Sequence, residues 1–167
     1  MNYKRGIIIY KIRLVCIGKI KEKYIIDGIN EYIKRLKPFC SFEINELKEA
    51  DVPQNPNSKD IEKALITEEQ EIIKACEGFL TVPLCIEGDF YSSEELAKKI
   101  IGLGNSGNGN ICFIIGSSHG LTEHIKNNGD FKLSFSKMTF PHQLMRLIFT
   151  EQLYRVFSII NNTKYHK

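Results

Sequence analysis

The sequence predicts an α/β domain with a mostly parallel sheet covered by helices on both faces. Three observations predict it. Short β-branched or apolar runs alternate about five times with longer stretches of helical spacing. Two of those runs, "LTVPLCIEG" and "ICFIIG", are apolar almost throughout, as strands buried on both faces are. A chain of 167 residues, 43% apolar and 26% charged, suits one domain with a sizeable core, spanning residues 1–167.

The elements follow in order. "IIIYKIRLVCIG" is β-branched and ends at Gly18, so it reads as a strand. "KEKYIIDGINEYIKRLKPF" spaces Tyr24, Ile25, Ile29, Ile33 and Leu36 as one helical face, and Pro38 stops it. "SFEINEL" alternates and predicts a strand. "KEADVPQNPNSKD", with two prolines, is the longest irregular stretch and reads as a loop within the domain. "DIEKALITEEQEIIKACEG" is a helix with a glycine stop, and "LTVPLCIEG" a buried strand. In "SSEELAKKIIGL", Ser92 and Glu95 form a capping box for the next helix. "GNSGNGN" is a turn, "ICFIIG" a strand, "TEHIKNN" a short helix and "FKLSF" a short strand.

The last helix raises a packing question. At about 100° per residue, Leu144, Ile148 and Ile159 point one way and Met145, Phe149 and Val156 another. Leu147, Tyr154 and Phe157 cover a third direction, so this helix needs neighbours on more than one side.

The net charge of +3 is too small to name a nucleic-acid partner, but its distribution is uneven. Residues 1–40 are net +7, 41–80 net −6, 81–129 net −2 and 130–167 net +4. Folding brings the two basic ends onto one face or leaves a solvated mixture of charges. Five cysteines form no C-x-x-C pair, and Cys16, Cys85 and Cys112 lie in apolar runs. A reduced, cytoplasmic protein without a metal site is expected. The N-terminal apolar run is broken by Lys11 and Arg13 and lacks a small-residue cleavage site, so no signal peptide is read there. No window approaches the roughly 20 apolar residues of a membrane span.

In such folds ligands bind beyond the carboxyl ends of the strands, which singles out the loops 87–92, 116–121 and 134–140. "FIIGSSHGL" is a strand entering a glycine loop without the lysine of a P-loop, and Gly116 permits close approach of backbone to a ligand. In "SFSKMTFPHQ", Pro141 fits the first turn of a helix. His142 then sits at the helix start, either as a solvated structural residue or beside whatever the loop encloses. Glu151 and Arg155, four apart, form by default a helix-surface ion pair. The terminal Tyr165, His166 and Lys167 combine groups that stack on and hydrogen-bond an unpaired base.

Taken together, "KIRLVCIGKIKEKY", "EYIKRL", "LCIEG", "FIIGSSHGL", "LSFSKMTFPHQLMRLIFTEQLYR" and "YHK" resemble the small bacterial SPOUT-class methyltransferases. Within that class the resemblance is to the RlmH family of 23S rRNA pseudouridine N3-methyltransferases. It runs from about residue 11 to 167 in one order without large gaps, and 133–155 is its most specific part.

The resemblance implies a SPOUT-type, Rossmann-like sheet whose C-terminal part threads a trefoil knot. It implies S-adenosyl-L-methionine held by the knot's loops and a homodimer formed through the knotted region, whose partner supplies the last helix with a second surface. Cofactor positions carried over are Leu84, Gly116, Phe135, Ser136, Lys137, Met138, Thr139 and Phe140. Lys137 is expected to turn its ammonium from the sulfonium and to act through its main chain. Catalytic candidates are His142, Arg155, Tyr165 and His166, the "YHK" tail reaching the cofactor of the other subunit. The implied substrate is the pseudouridine at position 1915 of 23S rRNA on the ribosome, attracted by Lys19, Lys21, Lys23, Lys34 and Arg35.

Two departures stand out. Residues 1–9 read either as an N-terminal extension relative to the family or as an upstream choice of start. Ser117 follows Gly116 where the family commonly has a second glycine; a left-handed backbone there would cost serine roughly 1–2 kcal/mol. An RNA-binding factor without catalysis, or a methyltransferase of another RNA, are the competing readings.

Overall fold

Alternation in two strands sets the frame. In β1 (Lys11–Ile17), Ile12, Leu14 and Cys16 face one side and Val15 and Ile17 the other, all buried. In β4 (Asn110–Ile115), Ile111, Phe113 and Ile115 oppose Cys112 and Ile114. Strands apolar on both faces must lie inside a sheet with layers above and below. The computed structural model describes residues 10–106 and 109–165. In it β2 (Ser41–Leu47), β3 (Leu80–Phe90) and β5 (Leu133–Ser134) complete a five-stranded parallel sheet of order β2-β1-β4-β3-β5.

One face carries α1 (Lys23–Leu36), α3 (Ser93–Ser106) and α5 (His142–Ile160), with Leu36, Ile100, Phe149, Val156 and Phe157 in the larger core. The other carries α2 (Ser58–Ala75) and α4 (Glu123–Asn127), with Ile72, Cys76, Leu121 and Ile125 in a smaller one. The predicted Ser92/Glu95 box is present: Ser92 N–H donates to Glu95 Oε2 at 2.7 Å and Glu95 N–H to Ser92 Oγ at 3.2 Å. α2 starts two residues before the predicted Asp60, because Asn57 and Asp60 form a capping box of their own.

Three expectations need correction. The stretch 87–92 is not all loop, since β3 continues to Phe90. Its first half pairs with β4, then Leu84, Asp89 and Phe90 turn to Leu133 and Ser134 of β5. A Cβ on Gly88 would lie 2.6 Å from the Leu133 backbone, so a glycine there lets β5 close in. Cys85, whose apolar run predicts a buried thiol, is accordingly only half-buried. Pro141 is not in the first turn; it is the residue before it, with φ −53° and ψ 129°, and its carbonyl accepts Met145 N–H at 2.9 Å.

The packing question about α5 is answered largely within one chain. The sheet buries Phe149, Leu153, Val156 and Phe157, each worth about 1.5–3 kcal/mol if fully withdrawn from water. α1 flanks it: Leu147 lies over Gly28, where a Cβ would come within 2.9 Å, and Tyr154 meets Tyr32 and Phe39. On the α3 side, Ser93 Oγ donates to Gln152 Oε1 at 2.9 Å. Leu144 and Ile148 remain half-buried.

Candidate active site

A cavity of about 670 Å³ opens where β3, β4 and β5 end, between the glycine loop 116–121 and the turn 134–140. That is the size of a small-molecule site. Leu84, Ile115, Leu133, Phe135 and Met145 give it apolar walls, and Ser134, Ser136, Thr139 and His119 add polar atoms. Of the residues singled out for a cofactor, Leu84, Gly116, Phe135, Ser136, Met138, Thr139 and Phe140 line it, and His142 stands at the same wall. Lys137 is exposed and does not line it.

The glycine loop is tight for a reason internal to it. A Cβ on Gly116 would lie 2.2 Å from the carbonyl oxygen of Gly120. Gly120 turns the chain with φ +88° and donates its N–H to Ser117 O at 2.9 Å. Ser117 is not left-handed; among the described residues Asn162 is the one non-glycine with positive φ. The expected strain at Ser117 is therefore absent, and its buried hydroxyl donates to Glu68 Oε2 at 2.9 Å.

The second wall is folded by its own serines. Ser134 Oγ donates to Ser136 O at 3.2 Å, and Met138 N–H donates to Ser136 Oγ at 2.9 Å. These local bonds replace backbone pairing that an irregular segment lacks. They hold Met138, 72% exposed, and Phe140 at the rim.

His142 is partly buried, and its imidazole is pushed below the usual histidine range. Burial is the first cause and the Arg146 guanidinium the second, with Glu49 opposing them. It is therefore mainly neutral near pH 7 and able to accept a proton. Arg146, which the sequence reading passed over, is fully buried. Its Nη2 donates to Ile17 O at 2.6 Å and its Nη1 meets Glu46 Oε1 at 3.0 Å. Lys126 was also missed as a cavity residue; it pairs at 2.6 Å with Glu87, the first residue of the 87–92 stretch singled out above, and Glu123 lies 3.0 Å from the same ammonium.

The other catalytic candidates stand elsewhere. Arg155 pairs with Glu151 at 2.7 Å, as the spacing predicts, and lies 5.0 Å over the Tyr165 ring. Tyr165 donates to Glu151 at 3.1 Å and packs edge-on to Tyr154. Neither lines the cavity of its own chain. His166 lies outside the described residues, as do residues 1–9. The basic β1–α1 loop comes close: Lys21 N–H donates to Gln143 Oε1 at 3.0 Å, which ties the Lys19–Lys23 stretch to the start of α5. Among the described residues no group of three or more His, Cys, Asp or Glu could hold a metal, and no helix is long and apolar enough to cross a membrane.

A parallel α/β sheet with a glycine loop and an apolar pocket beyond its strand ends defines a small-molecule-binding domain of the kind group-transfer enzymes use. The chain belongs to the SPOUT methyltransferase family: the model described as "Predicted SPOUT methyltransferase" matches residues 10–166. Among curated relatives, ribosomal RNA large subunit methyltransferase H of Acetivibrio thermocellus is 46% identical over 158 residues, covering 94% of this chain and 99% of that protein. The protein of the same name from Fusobacterium nucleatum is 49% identical over 156 residues, covering 93% and 99%. A Bordetella pertussis structure described as a probable methyltransferase shares the fold with TM-score 0.54 at 12% identity, covering 89% of this chain and 96% of its own.

Proposed function

We propose that this protein methylates N3 of the pseudouridine at position 1915 of 23S rRNA on the assembled ribosome, using S-adenosyl-L-methionine. The observation that carries the reading is the convergence of Leu84, Gly116, Phe135, Ser136, Met138, Thr139 and Phe140 on one cavity. It occurs in a chain about half identical, over nearly its whole length, to large-subunit rRNA methyltransferases.

The residues present suit the cofactor. The space that a Cβ at Gly116 would invade stays free for close backbone contact. Leu84, Phe135 and Phe140 offer an apolar slot for a purine, and the loop amides and carbonyls can read its edge. Lys137 acts through its main chain, its side chain being in solvent. Bound there, the cofactor supplies a methyl group already activated on sulfur.

The chain's own residues then align the acceptor and manage its proton. His142, neutral at the cavity wall, takes the N3 proton. Lys19, Lys21 and Lys23 draw the RNA phosphates to the cavity mouth, with Lys34 and Arg35 extending the patch along α1. Arg155 and Tyr165 stand off their own cavity, so in this reading they and His166 complete the cavity of a second chain. The half-buried Leu144 and Ile148 provide apolar surface for that partner. A cytoplasmic homodimer with a C-terminal trefoil knot belongs to the same proposal.

Mass spectrometry of 23S rRNA from a deletion strain tests the substrate: methyl-pseudouridine should vanish and return with the gene. An unchanged signal would overturn the assignment. Mixing a chain lacking 165–167 with a His142→Ala chain tests the shared site. Each should be inactive alone, and an equal mixture should regain about a quarter of wild-type activity if subunits exchange freely, since half of the dimers then carry one intact site of two.

A further inference from the structure

We infer that Glu68 is a positioning residue for the methyl-donor pocket, acting through Ser117 to fix the glycine loop that walls it. The inference rests on the cofactor reading above.

Glu68 lies on α2, beneath the face of the sheet opposite α5, and is 4% exposed. Its two oxygens are each used once: Oε1 accepts Ala50 N–H at 3.0 Å and Oε2 accepts the Ser117 hydroxyl at 2.9 Å. Among the described residues no ion pair reaches this carboxylate. Burying it without a cation is expensive, and for stability alone an apolar side chain would serve as well. What the carboxylate adds is direction, because it fixes where the Ser117 oxygen sits.

The next residue holds the other end of the same loop. Glu69 Oε2 accepts the hydroxyl of Thr122, which caps α4, and Glu69 Oε1 lies 3.3 Å from His124 Nδ1. Two consecutive carboxylates of α2 thus clamp the loop at Ser117 and Thr122. Between them, Ser117, Ser118, His119 and Gly120 line the cavity. Gly116 packs directly against the Gly120 carbonyl, where a Cβ would come within 2.2 Å, so the two ends of the loop are in contact. Movement at Ser117 therefore passes directly into the pocket wall.

Three variants separate positioning from bulk stability. Ser117→Ala removes the loop bond alone. Glu68→Ala removes both bonds. Glu68→Gln keeps both, its amide oxygen accepting Ala50 N–H and its amide N–H donating to Ser117 Oγ. Calorimetry with S-adenosylmethionine should give affinities about five- to tenfold weaker for Ser117→Ala and for Glu68→Ala, a double variant no weaker than Glu68→Ala, and near wild-type affinity for Glu68→Gln. Amide exchange across 116–121, measured without cofactor, should be faster in the two alanine variants and unchanged in Glu68→Gln.

Wild-type affinity in Ser117→Ala, or additive losses in the double variant, would overturn the inference. If the wild-type protein itself gives no binding heat, the cofactor reading fails instead. The exchange data then decide the role of Glu68: faster exchange upholds the clamp and unchanged exchange removes it.

Discussion

Arg146 donates from Nη2 to the carbonyl oxygen of Ile17 at 2.6 Å, joining the start of α5 to the end of β1 across 129 positions of sequence. The same guanidinium meets Glu46 at the end of β2, while its Nε is buried without a partner. Glu46 also accepts the N–H of Ile20 at 3.2 Å. One side chain thus sets the height of α5 above the strand ends, and with it the position of His142.

Replacing Arg146 by alanine should lower unfolding free energy by about 2 kcal/mol, because the Ile17 carbonyl loses its donor and a large, fully buried side chain leaves a cavity. Urea denaturation measures this. A loss under about 1 kcal/mol would mean that the pair is not needed to hold the helix.

Gly116→Ala should by itself weaken cofactor binding. The added Cβ meets backbone, so the loop itself must move. Calorimetry should show at least about a tenfold weakening, which is about 1.4 kcal/mol. Retention of wild-type affinity would take this glycine out of the pocket.

Burial and Arg146 set His142 below the ordinary 6.5 of a histidine. Its folded value lies under its unfolded one, so its contribution to stability is complete above pH 6.5 and is lost as pH falls through the folded value. An NMR titration should place its midpoint below 6.5, and Glu49→Gln should move it lower still, since Glu49 opposes the shift. A midpoint at or above 6.5 removes the neutral base from the proposed chemistry.

Cys85 lines the cavity while the other four thiols are buried. N-ethylmaleimide should therefore modify Cys85 first. The reaction should be slow at neutral pH, because burial and then Glu87 hold this thiol above its usual range. S-adenosylhomocysteine should protect it. Preferential labelling of Cys76 or Cys112 would contradict the arrangement of the site.

The alternation of strands and helices was legible because each element carries its own periodicity, and the Ser92/Glu95 box because a cap is a local contact. The pocket-forming turn 134–140 was legible through resemblance to a family. What escaped were residues whose role is set by distant partners. Nothing in "LMRLI" says that its arginine points inward, since the helix is apolar on several sides. Glu68 lies in the acidic run "TEEQE", which reads as a solvated face until Ala50 and Ser117 arrive. The length of β3 was hidden for the same reason: its second half is a strand only because β5, two residues long, comes back beside it.

The bond from Arg146 to Ile17 also bears on the order of events during synthesis. Nearly the whole polypeptide must be made before the first strand can find the residue that locks its end, and such distant pairings form late. A nascent chain still short of α5 has no completed pocket, so it should be blind to the methyl donor. Competence arrives only once the pocket turn and α5 have been made, and premature termination before them should yield products that do not sequester cofactor.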